Sequence, residues 1–264
     1  MRHSLALILA LLIAGCGLFP SHNKDESESW SVERLYKEAK AELDEENYEK
    51  ATEYFEKLEA RFPYGTYAQQ AQIELIYVYY KNSDAASAIA AADRFIKYHP
   101  NSPAVDYAYY MKGIANFIGD TGVITSMVGK DVSQRDPKSE TESFDAFKVL
   151  VTRFPNSKYA ADARKRMQYL ANQLAMHEIH VADYYYRRGA YVAAVNRSQK
   201  VITEFPNTPA TENALVLMAR SYDRLGLDKL RDDATRVLDK TYPEWKIRTV
   251  TVKEKSPWWE FWKK

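Results

Sequence analysis

His177-Glu178-Ile179-His180 is the string in this chain whose residue types come nearest to metal chemistry. In the H-E-x-x-H pattern two imidazoles four apart share one helix face and hold a zinc ion. Here the histidines stand three apart and no third ligand accompanies them, so the string reads as part of a polar helix face. Asp232-Asp233 and Glu45-Glu46 are neighbours in sequence, and neighbouring side chains diverge on a helix. That arrangement suits solvation better than paired acid–base work. Gly119, Gly122 and Gly129 bring three of the nine glycines into one stretch. They follow neither a strand nor the P-loop pattern, which leaves a long loop rather than a phosphate cradle. With no G-x-S-x-G elbow either, the sequence disfavours an enzyme and calls for no metal or cofactor.

Tyrosine is the abundant chemistry, with 20 residues. A tyrosine ring offers a large apolar surface and one polar tip at low rotamer cost, which suits peptide binding. Tyr67, Tyr77, Tyr79, Tyr80, Tyr107, Tyr109, Tyr110, Tyr184, Tyr185 and Tyr186 fall where first helices of helical hairpins are expected. First helices line the groove of such arrays. Consecutive tyrosines cannot all face one way, so half are expected in the core and half on the groove.

The elements that position them follow from a repeat. Five amphipathic stretches end on an aromatic residue or histidine followed by proline: Phe62-Pro63, His99-Pro100, Phe154-Pro155, Phe205-Pro206 and Tyr242-Pro243. The prolines are 37, 55, 51 and 37 residues apart, a period with two insertions. Five residues before each proline stands an apolar residue: Leu58, Phe95, Leu150, Val201 and Leu238. Twelve before it stands a small one in four units, Ala51, Ala88, Ser143 and Ala194, with Arg231 in the fifth. Proline lacks the N–H that a helix interior needs and pushes the preceding residue out of the helical region, so it stops the second helix. Asn101-Ser102-Pro103, Asn156-Ser157 and Asn207-Thr208-Pro209 then supply caps for the next. The spacing predicts helix pairs over 31–46 and 48–62, 66–81 and 84–98, 103–118 and 138–154, 157–188 and 190–205, and 208–225 and 228–242. The small, aromatic and proline positions Ala51, Phe55 and Pro63 resemble the tetratricopeptide repeat. The expected fold is all-α, a tetratricopeptide-type right-handed solenoid of five helical hairpins. The first helix of the fourth pair is about twice the usual length and is expected to protrude, where it can dock a partner or the next half of the molecule.

At the front, Arg2 and His3 precede an apolar run, Leu5 to Ile13, too short for a bilayer span of roughly 20 residues. Ile13-Ala14-Gly15-Cys16 follows and resembles the lipobox, in which cleavage precedes a cysteine whose thiol is acylated. Cys16 is the only cysteine, so no intrachain disulfide is possible and lipidation gives it a use. A covalent lipid on Cys16 anchors the chain without a transmembrane helix. Among lipoproteins an Asp after the cysteine tends to retain the protein in the inner membrane, so Gly17 points to the outer one. Cleavage would remove one arginine, leaving 36 basic against 36 acidic residues, which gives nucleic acid no broad electrostatic attraction. The expected organisation is a signal peptide over 1–15, a lipidated flexible tether over 16–30, repeats one to three over 31–155, repeats four and five over 156–243, and a Trp/Lys-rich tail over 244–264. The tail pairs interfacial aromatics with cations, as in Trp258-Trp259-Glu260-Phe261-Trp262-Lys263-Lys264. A membrane headgroup region, a partner, or the last helix of the solenoid are its candidate contacts.

Longer strings carry a closer resemblance: Arg61-Phe62-Pro63-Tyr64-Gly65, Leu75-Ile76-Tyr77-Val78-Tyr79-Tyr80-Lys81, Asp106-Tyr107-Ala108-Tyr109-Tyr110-Met111-Lys112-Gly113 and Arg188-Gly189-Ala190-Tyr191-Val192-Ala193-Ala194-Val195-Asn196-Arg197. Through residues 31–243, together with the lipobox, the chain resembles the BamD family, tetratricopeptide lipoproteins of the outer-membrane β-barrel assembly machinery. The resemblance implies a non-enzymatic protein held at the periplasmic face of the outer membrane. It implies that repeats one to three receive unfolded outer-membrane protein precursors through a C-terminal segment ending in an aromatic residue. Groove candidates on that reading are Tyr67, Gln70, Tyr77 and Tyr110, with Arg94 or Arg153 for a carboxylate. It also implies that repeats four and five dock the POTRA domains of the barrel-forming subunit, alongside other assembly lipoproteins, with Asn196 and Arg197 as docking candidates. A tetratricopeptide lipoprotein scaffold for pilus or cell-envelope assembly is the alternative reading of the same features.

Overall fold

A computed structural model describes residues 26–118 and 136–245. The lipobox with Cys16, most of the tether, the glycine-containing loop and the tail beyond Trp245 lie outside the described residues. Ten α-helices and no strand occur among the described residues. They are α1 (Val32–Asp44), α2 (Tyr48–Arg61), α3 (Thr66–Lys81), α4 (Ala85–Tyr98), α5 (Val105–Ile118), α6 (Lys138–Arg153), α7 (Ala160–Arg187), α8 (Tyr191–Glu204), α9 (Ala210–Arg224) and α10 (Asp228–Thr241). They form the five hairpins that the proline period predicts, each bound falling within a turn of its expected place. The fold is all-α and of tetratricopeptide type.

The repeat positions work as their chemistry requires. In every second helix the amide before the proline closes the last turn onto the carbonyl of the apolar residue five before it. These bonds are Phe62 to Leu58, His99 to Phe95 and Phe154 to Leu150 at 2.8 Å, Phe205 to Val201 at 2.9 Å and Tyr242 to Leu238 at 2.7 Å. The capping residue then leaves the helical region, as at Phe62 with φ −130° and ψ 68°, because the following proline ring excludes it. Ala51, Ala88, Ser143 and Ala194 are all fully buried, so two helices can cross closely there. In the fifth unit Arg231 stays near the surface instead, bonded to Asp223, Asp228 and Asp232. The turn between first and second helices places one residue at positive φ at the same repeat position: Glu46 (60°), Ser83 (63°), Gly189 (78°) and Gly226 (69°). Glycine relieves the left-handed conformation in two of these turns, and Glu46 and Ser83 tolerate it in the others.

The structure divides into two compact units, Met1–Ala71 and Gln72–Lys264, the boundary falling inside α3. In the first, α1 and α2 pack through Leu35, Ala39, Phe55 and Leu58, each wholly buried. Tether composition extends to residue 30, yet Glu26–Ser29 form a 3-10 turn held against this hairpin. Arg61 donates to the Ser27 carbonyl at 2.7 Å and to the Trp30 carbonyl at 2.9 Å, and Ser27 is buried.

In the second unit each hairpin shares a core with the next. Ile76, Ala91, Ala92 and Phe95 pack with Val105, Ala108 and Met111. The long helix α7, expected to protrude, is covered along its length. Its first half joins Ile114, Phe147 and Leu150, while Leu174, Ala175, Ile179 and Ala182 join Val201, Phe205 and Ala214. An extra-long helix here serves two hairpins in turn.

Candidate functional site

An aromatic concavity in the second unit lies where first helices begin. Tyr107, two residues into α5, and Tyr159, at the N-terminus of α7, face one another with ring centroids 5.5 Å apart. With Ile73 and Glu74 of α3, Asp106 and Lys158 they line a cavity of about 620 Å³. Both tyrosines are placed by the same cap chemistry. Ser157 Oγ accepts the Tyr159 amide at 3.2 Å and donates to Asp106 Oδ2 at 2.6 Å, which ties the two helix starts together. The Lys158 ammonium sits 5.0 Å above the Tyr159 ring. Burial, reinforced by nearby Tyr159, Glu74 and Tyr77, pushes the Tyr107 hydroxyl well above its ordinary range. It is therefore a neutral hydrogen-bonding group at every physiological pH. An apolar wall with a cation, two carboxylates and hydroxyls at its edge can hold a short extended peptide segment by ring contact and a few hydrogen bonds.

The residues singled out from sequence fall in different places. Tyr77 packs half-buried on the core beneath it and stands near Tyr107. Tyr110 is stacked on Tyr159 at 4.7 Å, and its hydroxyl donates to Asp162 Oδ2 at 2.9 Å. It supports the wall from behind. Burial and Asp162 both raise its pKa. In the first unit Tyr67 packs on Tyr36 at 5.4 Å, and Gln70 is exposed. Arg94 is exposed on α4, and the Arg153 guanidinium lies 5.8 Å over Tyr109 and 5.3 Å over Phe154. Neither arginine lines the cavity, where Lys158 is the cation. Tyr107 and Tyr159 carry the wall, and their signal in the sequence is the position shortly after the Asn-Ser caps. The even division of tyrosines between core and groove is corrected: of the ten tyrosines named above, Tyr184 is exposed and the other nine are half-buried.

Asp162 also accepts from Arg166 Nε at 2.6 Å, and Arg166 first, with Tyr110 adding to it, holds its pKa below the ordinary 3.8. A carboxylate lowered on folding contributes stability that is full above about pH 4 and is lost as pH falls through the lowered value. Asp162→Asn should therefore flatten the acid limb of urea-unfolding stability as pH falls below about 4, by about 0.5 kcal/mol given its exposure. Parallel acid limbs in the two proteins would remove Asp162 from that role.

The His177-Glu178-Ile179-His180 string is not a polar face. Glu178 is 5% exposed and Ile179 is 7% exposed. A buried carboxylate requires partners, because desolvation costs several kcal/mol. Glu178 has two, both from α8: Arg197 at 3.1 Å and Lys200 at 2.7 Å. Among the described residues no group of three metal-ligating side chains occurs. Arg197 keeps 44% of its side chain exposed, and Asn196 beside it is exposed. A guanidinium with five donors can thus hold Glu178 with one edge and present others outward. Next to this trio a cavity of about 470 Å³ opens between α6, α7 and α8, lined by Phe144, Lys148, His177 and Phe205.

Comparison with known proteins accords with this architecture. Residues 28–237 match the family model YfiO, described as an outer membrane lipoprotein. An outer membrane protein assembly factor BamD of Neisseria meningitidis is 41% identical over 261 residues, covering 98% of each chain. That of Vibrio cholerae is 37% identical over 225 residues, covering 85% of this chain and 92% of its own. A crystal structure of MamA protein aligns with 86% of this chain and 98% of that one at 16% identity and a TM-score of 0.40, too loose a likeness to add to the fold described above. No helix among the described residues is long and apolar enough to cross a membrane. With most of its length matched by the family model and by relatives at this identity, the chain belongs to the BamD family of outer-membrane lipoproteins, the outer membrane protein assembly factors.

Proposed function

We propose that this chain is the lipid-anchored, non-enzymatic receptor and scaffold subunit of an outer-membrane β-barrel assembly complex. Cys16 carries the acyl anchor and holds the protein on the periplasmic face of the outer membrane. Unfolded barrel precursors present an extended segment with an aromatic end, which the Tyr107–Tyr159 wall accepts by ring contact while Lys158 meets a carboxylate. The POTRA-bearing barrel subunit docks on α8 through Asn196 and Arg197, and other assembly lipoproteins complete the complex. The observation that supports this reading most is the 41% identity to a named assembly factor along 98% of both chains.

Affinity capture from detergent-solubilised native membranes tests the assignment. Recovery of a barrel protein bearing POTRA domains is the expected result, and recovery of pilus components in its place overturns it. For the groove, Tyr107→Ala with Tyr159→Ala should weaken binding of a synthetic peptide ending in an aromatic residue by about tenfold, since ring anchors contribute 1–2 kcal/mol at such sites. Tyr110→Phe, which keeps the ring and loses the hydroxyl's bonds to Asp162 and Arg166, should leave that affinity unchanged. Equal weakening by both variants would move the peptide site elsewhere.

A further inference from the structure

The Tyr107–Tyr159 cavity is electrically polarised. Three charged side chains reach it, Glu74 from α3, Asp106 from α5 and Lys158 from the turn before α7. Both oxygens of Asp106 are engaged inside the protein. Oδ1 accepts the Tyr107 amide at 2.7 Å, and Oδ2 accepts the Ser157 hydroxyl at 2.6 Å. Asp106 therefore serves the scaffold. Lys158 is exposed and holds its ammonium over the Tyr159 ring, so that side of the wall is positive. Glu74 is half-buried and stands by Tyr107, where its charge adds, after burial and Tyr159, to the rise in the hydroxyl's pKa. The Tyr107 side of the wall is negative. Between the two lie Ile73, Ala104 and the paired rings, whose low polarity strengthens any charge contact made across them.

We infer that Glu74 is a specificity residue: the cavity takes an extended segment whose lysine or arginine, two residues before the terminal aromatic, pairs with the Glu74 carboxylate. This rests on the reading of the cavity as the precursor site. Chain direction follows from the polarity. With the terminal carboxylate at Lys158 and the last aromatic ring on Tyr159, the upstream chain runs past Tyr107 to Glu74. In an extended chain alternate side chains share one face and lie about 7 Å apart. That step is close to the 5.5 Å between the two rings of the wall, so the side chain two before the aromatic is the one brought to Glu74. There the apolar stem of a lysine or arginine lies along the Tyr107 ring with its cationic end at the carboxylate. An acidic residue at the same place would meet a half-buried like charge, which costs more beside apolar rings than in open water. The cavity thus reads two features at once, an aromatic end and a cation set behind it.

Two synthetic peptides that differ only in carrying lysine or glutamate two residues before a C-terminal phenylalanine test the inference. The readout is their affinity for the full-length protein in detergent. The lysine peptide should bind roughly tenfold more tightly at low ionic strength, and the ratio should shrink as salt screens the pair. Glu74→Lys should reverse the preference, an outcome that a merely structural role for Glu74 would not produce. If that variant loses its helices, Glu74→Gln repeats the measurement and should bring the ratio to about one. Equal affinities in the unaltered protein overturn the assignment of Glu74 while leaving the peptide site in place, and so does a preference that neither substitution alters. The reading of the cavity fails separately, if neither peptide binds or if Tyr107→Ala with Tyr159→Ala leaves both affinities as they were. Either of those results overturns the inference as well.

Discussion

Replacing Gly113 with alanine is expected to destabilise the protein by about 1–3 kcal/mol, although alanine is the better helix former by about 1 kcal/mol. A methyl group built on Gly113 would stand 2.5 Å from Cε1 of the Phe147 ring, whose side chain is wholly buried and has nowhere to move. The same crossing brings Ser143 Oγ to 2.8 Å from the Gly113 carbonyl, so α5 and α6 cannot separate without losing a buried hydrogen bond. Urea unfolding of Gly113→Ala should show the loss, and adding Phe147→Leu should recover part of it through coupling between the two sites. A raised midpoint for Gly113→Ala would mean that close approach is not what keeps this position free of a side chain.

Arg197→Glu is expected to weaken the proposed partner docking by about 2 kcal/mol, roughly thirtyfold in affinity. It also sets a second carboxylate beside Glu178, which is buried and relies on Arg197 and Lys200 for compensation. A charge swap separates the two consequences. Glu178→Arg with Arg197→Glu restores an ion pair between α7 and α8 but places no guanidinium at the outer surface of α8. Docking measured by capture of the barrel subunit should stay weak in the swapped protein while its thermal midpoint returns towards normal. Recovered docking in the swap would show that Arg197 acts only by bracing α8 against α7.

The groove shows why candidate residues scatter when read along the chain. Tyr77 and Tyr110 stand on first helices, as a concave face requires, yet neighbouring rings decide which of them meets solvent. Tyr110 is turned inward by its stack on Tyr159 and its bond to Asp162, 52 residues away in sequence. Tyr107 faces the cavity because Ser157 ties the start of α7 to Asp106. Arg153 supplies a cation to Tyr109 and Phe154 rather than to the cavity. Glu178 was hidden for a similar reason. Its flank of polar histidines suggests a wet face, and only α8 brings the two cations that make its burial tolerable.

Helix order, helix ends and the five-hairpin fold follow from the sequence alone, because they depend on local rules. Proline forbids continuation, the residue before it must leave the helical region, and small residues recur at a fixed offset to let helices cross. These rules act within one 37-residue unit and leave their mark at regular intervals. Burial of Glu178, the division of labour along α7 and the choice among tyrosines were decided by packing between units. A contact between residues 20 to 50 positions apart leaves no periodic trace in one chain, so only the folded molecule determines which side chains meet.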